Sequence, residues 1–440
     1  MNRGLLIQTE LREIAGLSAP MIIALMGTIL IGLVDTIIVG QYRSATELAA
    51  VGAGASLFTA ALVIGYGFLS ALDTLVSQAF GANQRYKMKQ LFIQGLWLSF
   101  VLGFVTCITT GSTAYFYEHF GIDPEIVAPA KDYMYWVSLS AFPVFAFTAL
   151  QRYWQAVGKV GPITWITLFG NTIHVIFAVV LVPTYGVKGV AIATLVTRVV
   201  MMILLVIYTL PRIGITRKDS WALRFDQQKD IMKLGGPAAI QYVSEVGAFT
   251  VATQIAGRLG TIPLASHHLA LTIASFTFMM PLGLANAGAV RVGYWIGAKH
   301  PNRAEVAGWL SIGLGAVIMI ASSLAFSFFP RSILEIFSKD PAVLDFSVKV
   351  LLIAGIFQIF DGIQVTTAGV LRGIGDTTST MFTNLIGHYP IGMLVGLLLC
   401  FKWGLGLTGI WIGLTVGLFS VAFLNLIIWS QTIRALVRTE

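Results

Sequence analysis

The chain has 440 residues, of which 56% are hydrophobic and 11% charged, against about 25% charged in a typical soluble domain. This excludes an ordinary soluble globular protein. The 28 Lys and Arg against 20 Asp and Glu need no nucleic acid to explain them, because membrane proteins keep such an excess in cytoplasmic loops.

Apolar runs of roughly 18 or more residues read as membrane-spanning helices, because about 20 residues cross the hydrocarbon core. The pattern predicts twelve: 14–40, 48–76, 91–113, 134–157, 162–183, 188–210, 237–258, 263–298, 307–330, 350–371, 381–401 and 405–431. The first is of full length and contains Asp35, so it does not read as a cleavable signal peptide. The eighth is too long for one straight crossing and either extends past the membrane or bends near Pro281 and Gly283. Basic residues gather at the N-terminus, in every second loop and at the C-terminus, which places both termini in the cytoplasm. The cysteines, Cys107 and Cys400, imply no disulfide framework.

The chain is written twice. "LSAP" (17–20) parallels "LGGP" (234–237), "FGA" (80–82) matches "IGA" (296–298), "QAVGKV" (155–160) parallels "RGIGDT" (372–377), and "YGVKGVAIAT" (185–194) resembles "LGLTGIWIGL" (405–414). Six spans per half is an even number, so the halves form a parallel repeat about an axis along the membrane normal. The expected organisation is an N-lobe at 1–215, a basic cytoplasmic linker at 216–236 and a C-lobe at 237–440, in an all-α membrane protein. Two lobes that rock about a midplane cavity give alternating access.

A carboxylate at the centre of an inserted helix costs roughly 2.5–3.5 kcal/mol, so such residues face a cavity or a partner. Glu245 lies about 12 Å along its helix from Pro237. Asp361 lies at a similar depth on a helix running from Val350 to Arg372. Two acids at one depth in one lobe suit a monovalent cation held by oxygens. They suit a proton equally, since burial and a like-charged neighbour disfavour the double anion. The plainer alternative is a carboxylate satisfied by a Ser, Thr or backbone group. Asp35 falls in the outer third of its helix, where a role as an interfacial carboxylate or cap competes with a functional one. Asp73 lies near a helix end and reads as structural. Arg198 either pairs with an acid or snorkels. His174 and His388 lie inside helices and can titrate near neutrality. His267 and His268 read as hydrogen-bonding groups at a helix start. None suggests a metal cluster.

Four stretches carry a specific resemblance: "GLVDTIIVG" (32–40), "GGPAAIQYVSEVGAFTVA" (235–252), "PLGLANAGAVRVGYWIGA" (281–298) and "FQIFDGIQVTTAGVLRGIGDT" (357–377). The sequence resembles the multidrug and toxic compound extrusion (MATE) family, on its NorM-like branch, over essentially the whole chain. The resemblance implies a V-shaped fold of twelve transmembrane helices in two six-helix lobes. It implies secondary antiport, in which Na+ or H+ entry drives export of organic cations such as dyes and fluoroquinolone-like drugs. The family's coupling acids map onto Glu245, Asp361 and Asp35, and a monovalent Na+ at Glu245 and Asp361 is the only metal implied. Asp35, Asn171, His174, Tyr294 and Phe357 are the candidates for substrate contact. The fifth helix reads "GNTIHVIFAVVLV", with Ala178 where an acid is sought, which weakens a sodium site around Asp35.

The substrate expected is a cation with aromatic bulk, met by acids and by a 12% aromatic content. The expected setting is a monomer in the bacterial inner membrane, in contact with lipid, without cofactor or nucleic acid. A lipid-linked precursor flippase of related architecture is the alternative, but it calls for a basic cavity. No HExxH, GxSxG or Walker sequence is present, so the chain does not read as an enzyme or a primary pump.

Overall fold

The computed structural model describes residues 3–113, 115, 124–214 and 220–439. Regular structure among them is helical throughout. In chain order the helices are α1 (Arg3–Tyr42), α2 (Ala45–Leu69), α3 (Ala71–Gly81), α4 (Arg85–Thr113), α5 (Pro124–Leu139), α6 (Ala141–Ala156), α7 (Gly161–Tyr185), α8 (Val187–Ile213) and α9 (Phe225–Leu259). They continue as α10 (Thr261–Gly297), α11 (Pro301–Phe328), α12 (Pro330–Leu334), α13 (Pro341–Ile374), α14 (Thr378–Ile386), α15 (Leu394–Leu397) and α16 (Gly406–Arg438). Two π-helical segments, Gly387–Met393 and Leu398–Lys402, flank α15. Among the described residues 11 helical stretches are long and apolar enough to cross a membrane. A further long helix, α9, has 35 residues; Gln241, Ser244, Glu245, Thr253 and Gln254 interrupt its apolar run. The protein is a multi-pass membrane protein.

Several crossings are less regular than the sequence pattern implies. The stretches expected as single helices at 48–76 and 134–157 are each divided at a serine. Ser70 donates its hydroxyl to the Gly67 carbonyl at 2.7 Å, and Ser140 donates to the Val137 carbonyl. A hydroxyl bonded back into the preceding turn competes with the helical ladder and bends it, and Pro143 removes an amide just beyond Ser140. The eleventh crossing widens into π geometry around Pro390, whose missing amide leaves a carbonyl of the previous turn to be re-paired. In contrast, α10 runs unbroken through Pro281 and Gly283 for 37 residues, about 55 Å, so it extends beyond the hydrocarbon core.

The helix that carries Asp361 has well-defined ends. Asp340 Oδ1 accepts from the Ala342 amide at 2.9 Å, Pro341 occupies the first turn, and Gly375 closes α13 with a φ of +94°. Helices α10 and α13 run parallel. Gln358 donates to the Ala274 carbonyl at 3.4 Å, while Gly369 and Gly373 abut the carbonyls of Ala285 and Ala289. From Ala274 to Ala289 of α10 the register offset is 84 residues, and it places Asp361 level with Thr277. A Cβ at Gly369 would fall on the Ala285 backbone, so glycine is required for this approach.

The chain groups into two compact units, Ile23–Ala239 and Met1–Ile22 with Ile240–Glu440. The two breaks fall 217 residues apart, which is also the spacing of the matched prolines Pro20 and Pro237. The opening segment of each sequence half therefore belongs to the compact unit built mainly by the other half. Each such segment is anchored. In one unit Glu10 is 1% exposed and accepts from Arg291 Nη2 at 2.7 Å, Arg291 Nε at 3.0 Å and Trp295 Nε1 at 3.0 Å. In the other, Gln94 of α4 holds the segment that leads into α9. It donates to the Ala222 carbonyl, accepts from the Arg224 amide, and takes the Gln228 amide on its own carbonyl, at 3.0, 3.0 and 2.9 Å. Each unit has its own apolar core, around Phe145 and Leu150 in Ile23–Ala239 and around Trp411 and Trp429 in the other.

Candidate functional site

In the unit Ile240–Glu440, Gln358, Asp361 and Gln364 follow at three-residue intervals on α13, and all three are buried. Such spacing sets a polar stripe along one side of a helix. Glu245, half-buried on α9, is the charged group that acts on Asp361. Aromatic rings draw the two helices together beside the acids. Phe249, one turn from Glu245, meets Phe357, one turn from Asp361, edge to face at 5.9 Å, and Trp411 backs Phe357 at 5.6 Å. Phe357 is thereby a packing ring next to the acid pair.

Further groups complete this centre. The Tyr389 hydroxyl donates to the Ser244 carbonyl at 3.1 Å and lies against Gly247, so it flanks the backbone on both sides of Glu245. Gln358 Nε2 donates to the Thr277 hydroxyl. Ser244 Oγ and Gln358 Oε1 are buried with no hydrogen-bond partner among the described residues. Arg372 donates to the Tyr242 hydroxyl at 2.8 Å and to Asn286 Oδ1 at 3.1 Å. Its backbone lies about 16 Å along α13 from that of Asp361, and its guanidinium is held by Tyr242, one turn from Glu245 on α9. Hard oxygen donors around two carboxylates suit a small monovalent cation or a proton, and no group of three or more His, Cys, Asp or Glu that could hold a metal ion occurs among the described residues.

In the unit Ile23–Ala239 the acid stands alone. Asp35 Oδ1 lies 2.7 Å from His174 Nε2, with the two side chains 13% and 1% exposed. Asn171, one turn before His174 on α7, presses its amide nitrogen against Gly27 of α1, and its Oδ1 is buried without a partner among the described residues. Arg198 of α8 donates to Ser140 Oγ at 2.7 Å and lies 5.1 Å from the Phe58 ring centre. Asp35 is among the groups whose charge acts on it.

The remaining candidates lie elsewhere. Tyr294 sits beside Trp295 and Arg291; on the α10–α13 register it is level with Thr378, beyond the end of α13, and so is not brought to Asp361. Asp73 is fully buried and paired with Arg152 at 2.8 Å. His267 Nε2 contacts the Thr253 hydroxyl at 3.0 Å, and its ring meets Trp411 at a tilt of 60° with 5.8 Å between centres. His388 Nδ1 lies 3.1 Å from the Asn384 carbonyl. Sequence reasoning missed Tyr389 and Phe249. Phe249 was signalled by its four-residue spacing from Glu245, whereas nothing local marks Tyr389.

The long helices among the described residues, the duplicated halves and a carboxylate within a long apolar helix of each unit define a polytopic α-helical membrane protein with an internal repeat. The MatE family model matches residues 20–180 and 237–398, one match in each half, and the chain belongs to this family. It is 32% identical to a probable multidrug resistance protein NorM of Pseudomonas putida, over 94% of this chain and 93% of that one. It is 29% identical to the multidrug resistance protein MdtK of Yersinia enterocolitica, over 94% of each. In fold it is similar to the eukaryotic MATE transporter AtDTX14, with a TM-score of 0.87 at 22% identity over 98% of this chain and 99% of that one. It is likewise similar to an outward-facing multidrug resistance MATE transporter, with a TM-score of 0.91 at 21% identity over 100% and 99%.

Proposed function

We propose that the protein is a multidrug efflux antiporter that expels organic cations in exchange for an inward-moving Na+ or H+. The carrying observation is the acid pair: Glu245 acts on a buried Asp361 in an apolar setting flanked by Phe249 and Phe357. The names of the relatives, multidrug resistance proteins NorM and MdtK, support the substrate class. In this reading the coupling cation binds between Glu245 and Asp361 and repacks α9, α10 and α13. The state so favoured holds the drug less tightly, since a ligand shifts an equilibrium only by its differential affinity. One positive charge entering across 100 mV supplies about 2.3 kcal/mol. Asp35, with His174 and Asn171, is the counter-charge for the drug in the other unit. The protein works as a monomer in the bacterial inner membrane with both termini in the cytoplasm.

Ethidium accumulation in everted vesicles, with sodium and proton gradients imposed separately, tests this. Accumulation driven by at least one gradient, and lost in Glu245→Gln and in Asp361→Asn, is expected. Accumulation under neither gradient removes the antiport reading, and unchanged coupling in both variants removes the acid pair.

A further inference from the structure

We infer that the segment joining the two sequence halves, residues 220–225, is an interfacial anchor that holds an anionic phospholipid against α4. This goes beyond the antiport reading and does not depend on the ion that drives it. Trp97, Phe100, Val101, Phe104, Val105 and Ile108 of α4 are all exposed and recur at helical spacing along one side. On a spanning helix such a stripe faces lipid. Trp97 ends the stripe, about 9 Å inside the apolar run that opens at Leu91. Its indole N–H donates to the Trp221 carbonyl at 2.9 Å. The joining segment therefore crosses the lipid-facing side of α4. There it presents Trp221, Leu223 and Phe225 outward, at 48, 41 and 78% exposure.

Backbone outside a helix is costly beside lipid unless its polar groups are paired. Residues 220–224 form no helix, and side chains supply the partners. Gln94 donates to the Ala222 carbonyl and accepts from the Arg224 amide, both at 3.0 Å. Ser220 Oγ accepts from the Ala222 amide at 3.3 Å, and the Gln228 amide donates to the Arg224 carbonyl at 3.0 Å. Charge selects the kind of lipid. Residues 85–97 and 220–236 hold six Lys and Arg against two acids, Asp226 and Asp230. Arg224 Nη2 donates to the Tyr86 hydroxyl at 3.3 Å, and Tyr86 lies between the exposed Arg85 and Lys87. Indole rings at the interface with basic groups beside them suit an anionic headgroup. The phosphate meets the bases at Arg224 and Lys87, and an acyl chain runs from Trp221 along the α4 stripe. A zwitterionic headgroup has no net charge to gain from these bases.

The test uses the full-length protein in vesicles of phosphatidylcholine, alone or with one third phosphatidylglycerol. Cys107→Ser and Cys400→Ala remove the native thiols, and Trp221→Cys carries a nitroxide. Size-exclusion profile and melting temperature establish that the labelled protein is folded, and Phe225→Cys serves if it is not. Oxygen concentrates in the bilayer and a nickel chelate in water, so their collision rates report depth. The label at 221 should meet oxygen more often than the chelate, and a label at Lys229→Cys the reverse. Collisions dominated by the chelate at both 221 and 225 overturn the anchor. Spin-labelled lipids then read the headgroup. The motionally restricted fraction of phosphatidylglycerol should exceed that of phosphatidylcholine, and removing one charge in Arg224→Gln should lower this preference by up to about fivefold. Arg224→Lys, which keeps the charge, should retain it. Equal restriction of the two lipids, or an unchanged preference when Arg224→Gln and Lys87→Gln are combined, overturns the lipid assignment. Spin–spin broadening at 221 that persists on dilution with lipid marks a second copy of the chain as the occupant and overturns it equally. None of these results reads ethidium export, so the antiport reading stands or falls separately.

Discussion

The two acidic centres differ in the company their carboxylates keep. In Ile240–Glu440 a buried Asp361 is acted on by a second acid, Glu245, while Arg372 of the same helix is engaged by the neutral Tyr242 and Asn286. At the Asp35 centre of Ile23–Ala239 a single acid is bound by an imidazole and felt by the guanidinium of a half-buried Arg198. One centre carries charge to spare for an incoming cation; the other is nearly balanced. A duplicated scaffold has thus diverged in electrostatics while keeping its helices. Burial multiplies the difference, because charges interact far more strongly in a low-dielectric interior than in water.

The largest expected effect comes from removing charge where it is doubled. Glu245→Gln or Asp361→Asn should lower gradient-driven ethidium export by about 100-fold, corresponding to roughly 2.7 kcal/mol. Transport assays in energised vesicles check this. Asp361→Glu, which keeps the charge but moves it by one methylene, should retain more activity than Asp361→Asn. If the two are equally dead, shape and not charge sets this centre.

The next effect concerns the anchors of the exchanged segments. Glu10→Ala leaves Arg291, 13% exposed at its side chain, with its main counter-charge gone. Breaking a fully buried pair from one side costs about 3 kcal/mol; with Glu13 still 3.6 Å from Arg291, the loss here should be about 2 kcal/mol. Glu10→Gln keeps a side-chain oxygen that can accept from Arg291 or Trp295 and should cost less. Melting temperatures of the purified variants read this directly, and the alanine variant should melt several degrees lower. An unchanged melting temperature in the alanine variant would show that the α1 anchor contributes nothing to the unit that holds the acid pair.

Legibility in the sequence followed how local each signal was. Asp361 announces itself because a charge interrupts an apolar run, and the polar stripe of Gln358, Asp361 and Gln364 can be read from three-residue spacing. The duplication was visible in short matched strings, and with it the twelve long helices. The contact between Asp35 and His174 was not visible, since 139 residues separate the partners and only the packing of α1 on α7 joins them. The breaks at Ser70 and Ser140 were hidden for another reason. A serine in a membrane helix is compatible with a straight ladder or a bent one, and the choice is made by neighbouring helices. The exchange of opening segments escaped because the repeat aligns sequence halves, whereas compactness is decided by ion pairs and amide clamps such as those of Glu10 and Gln94.

A smaller effect sharpens the contrast from the side of the single acid. Asp35→Asn removes the carboxylate that His174 contacts and that acts on Arg198, and an organic cation loses its counter-ion in that unit. Binding of tetraphenylphosphonium, followed by tryptophan fluorescence, should weaken about tenfold, or 1.4 kcal/mol. The ion dependence of the acid pair should survive. A variant that loses ion dependence together with affinity would show that the two centres are not separable.

The smallest expected effect tests whether the acid pair depends on its neutral neighbours. Tyr389→Phe deletes the hydroxyl that donates to the Ser244 carbonyl at 3.1 Å and keeps the ring that packs near Gly247. A neutral hydrogen bond contributes about 1 kcal/mol net. If that bond holds the α9 backbone at the position Glu245 requires, cation affinity should fall about fivefold while maximal export is retained, because the carboxylates themselves are untouched. Sodium or proton titrations of export rate separate the two quantities. A fall in maximal rate with unchanged affinity would assign Tyr389 to the conformational change and not to the binding state. Since the hydroxyl sits on a π-helical turn, the same measurement asks whether that widened turn serves cation binding or movement.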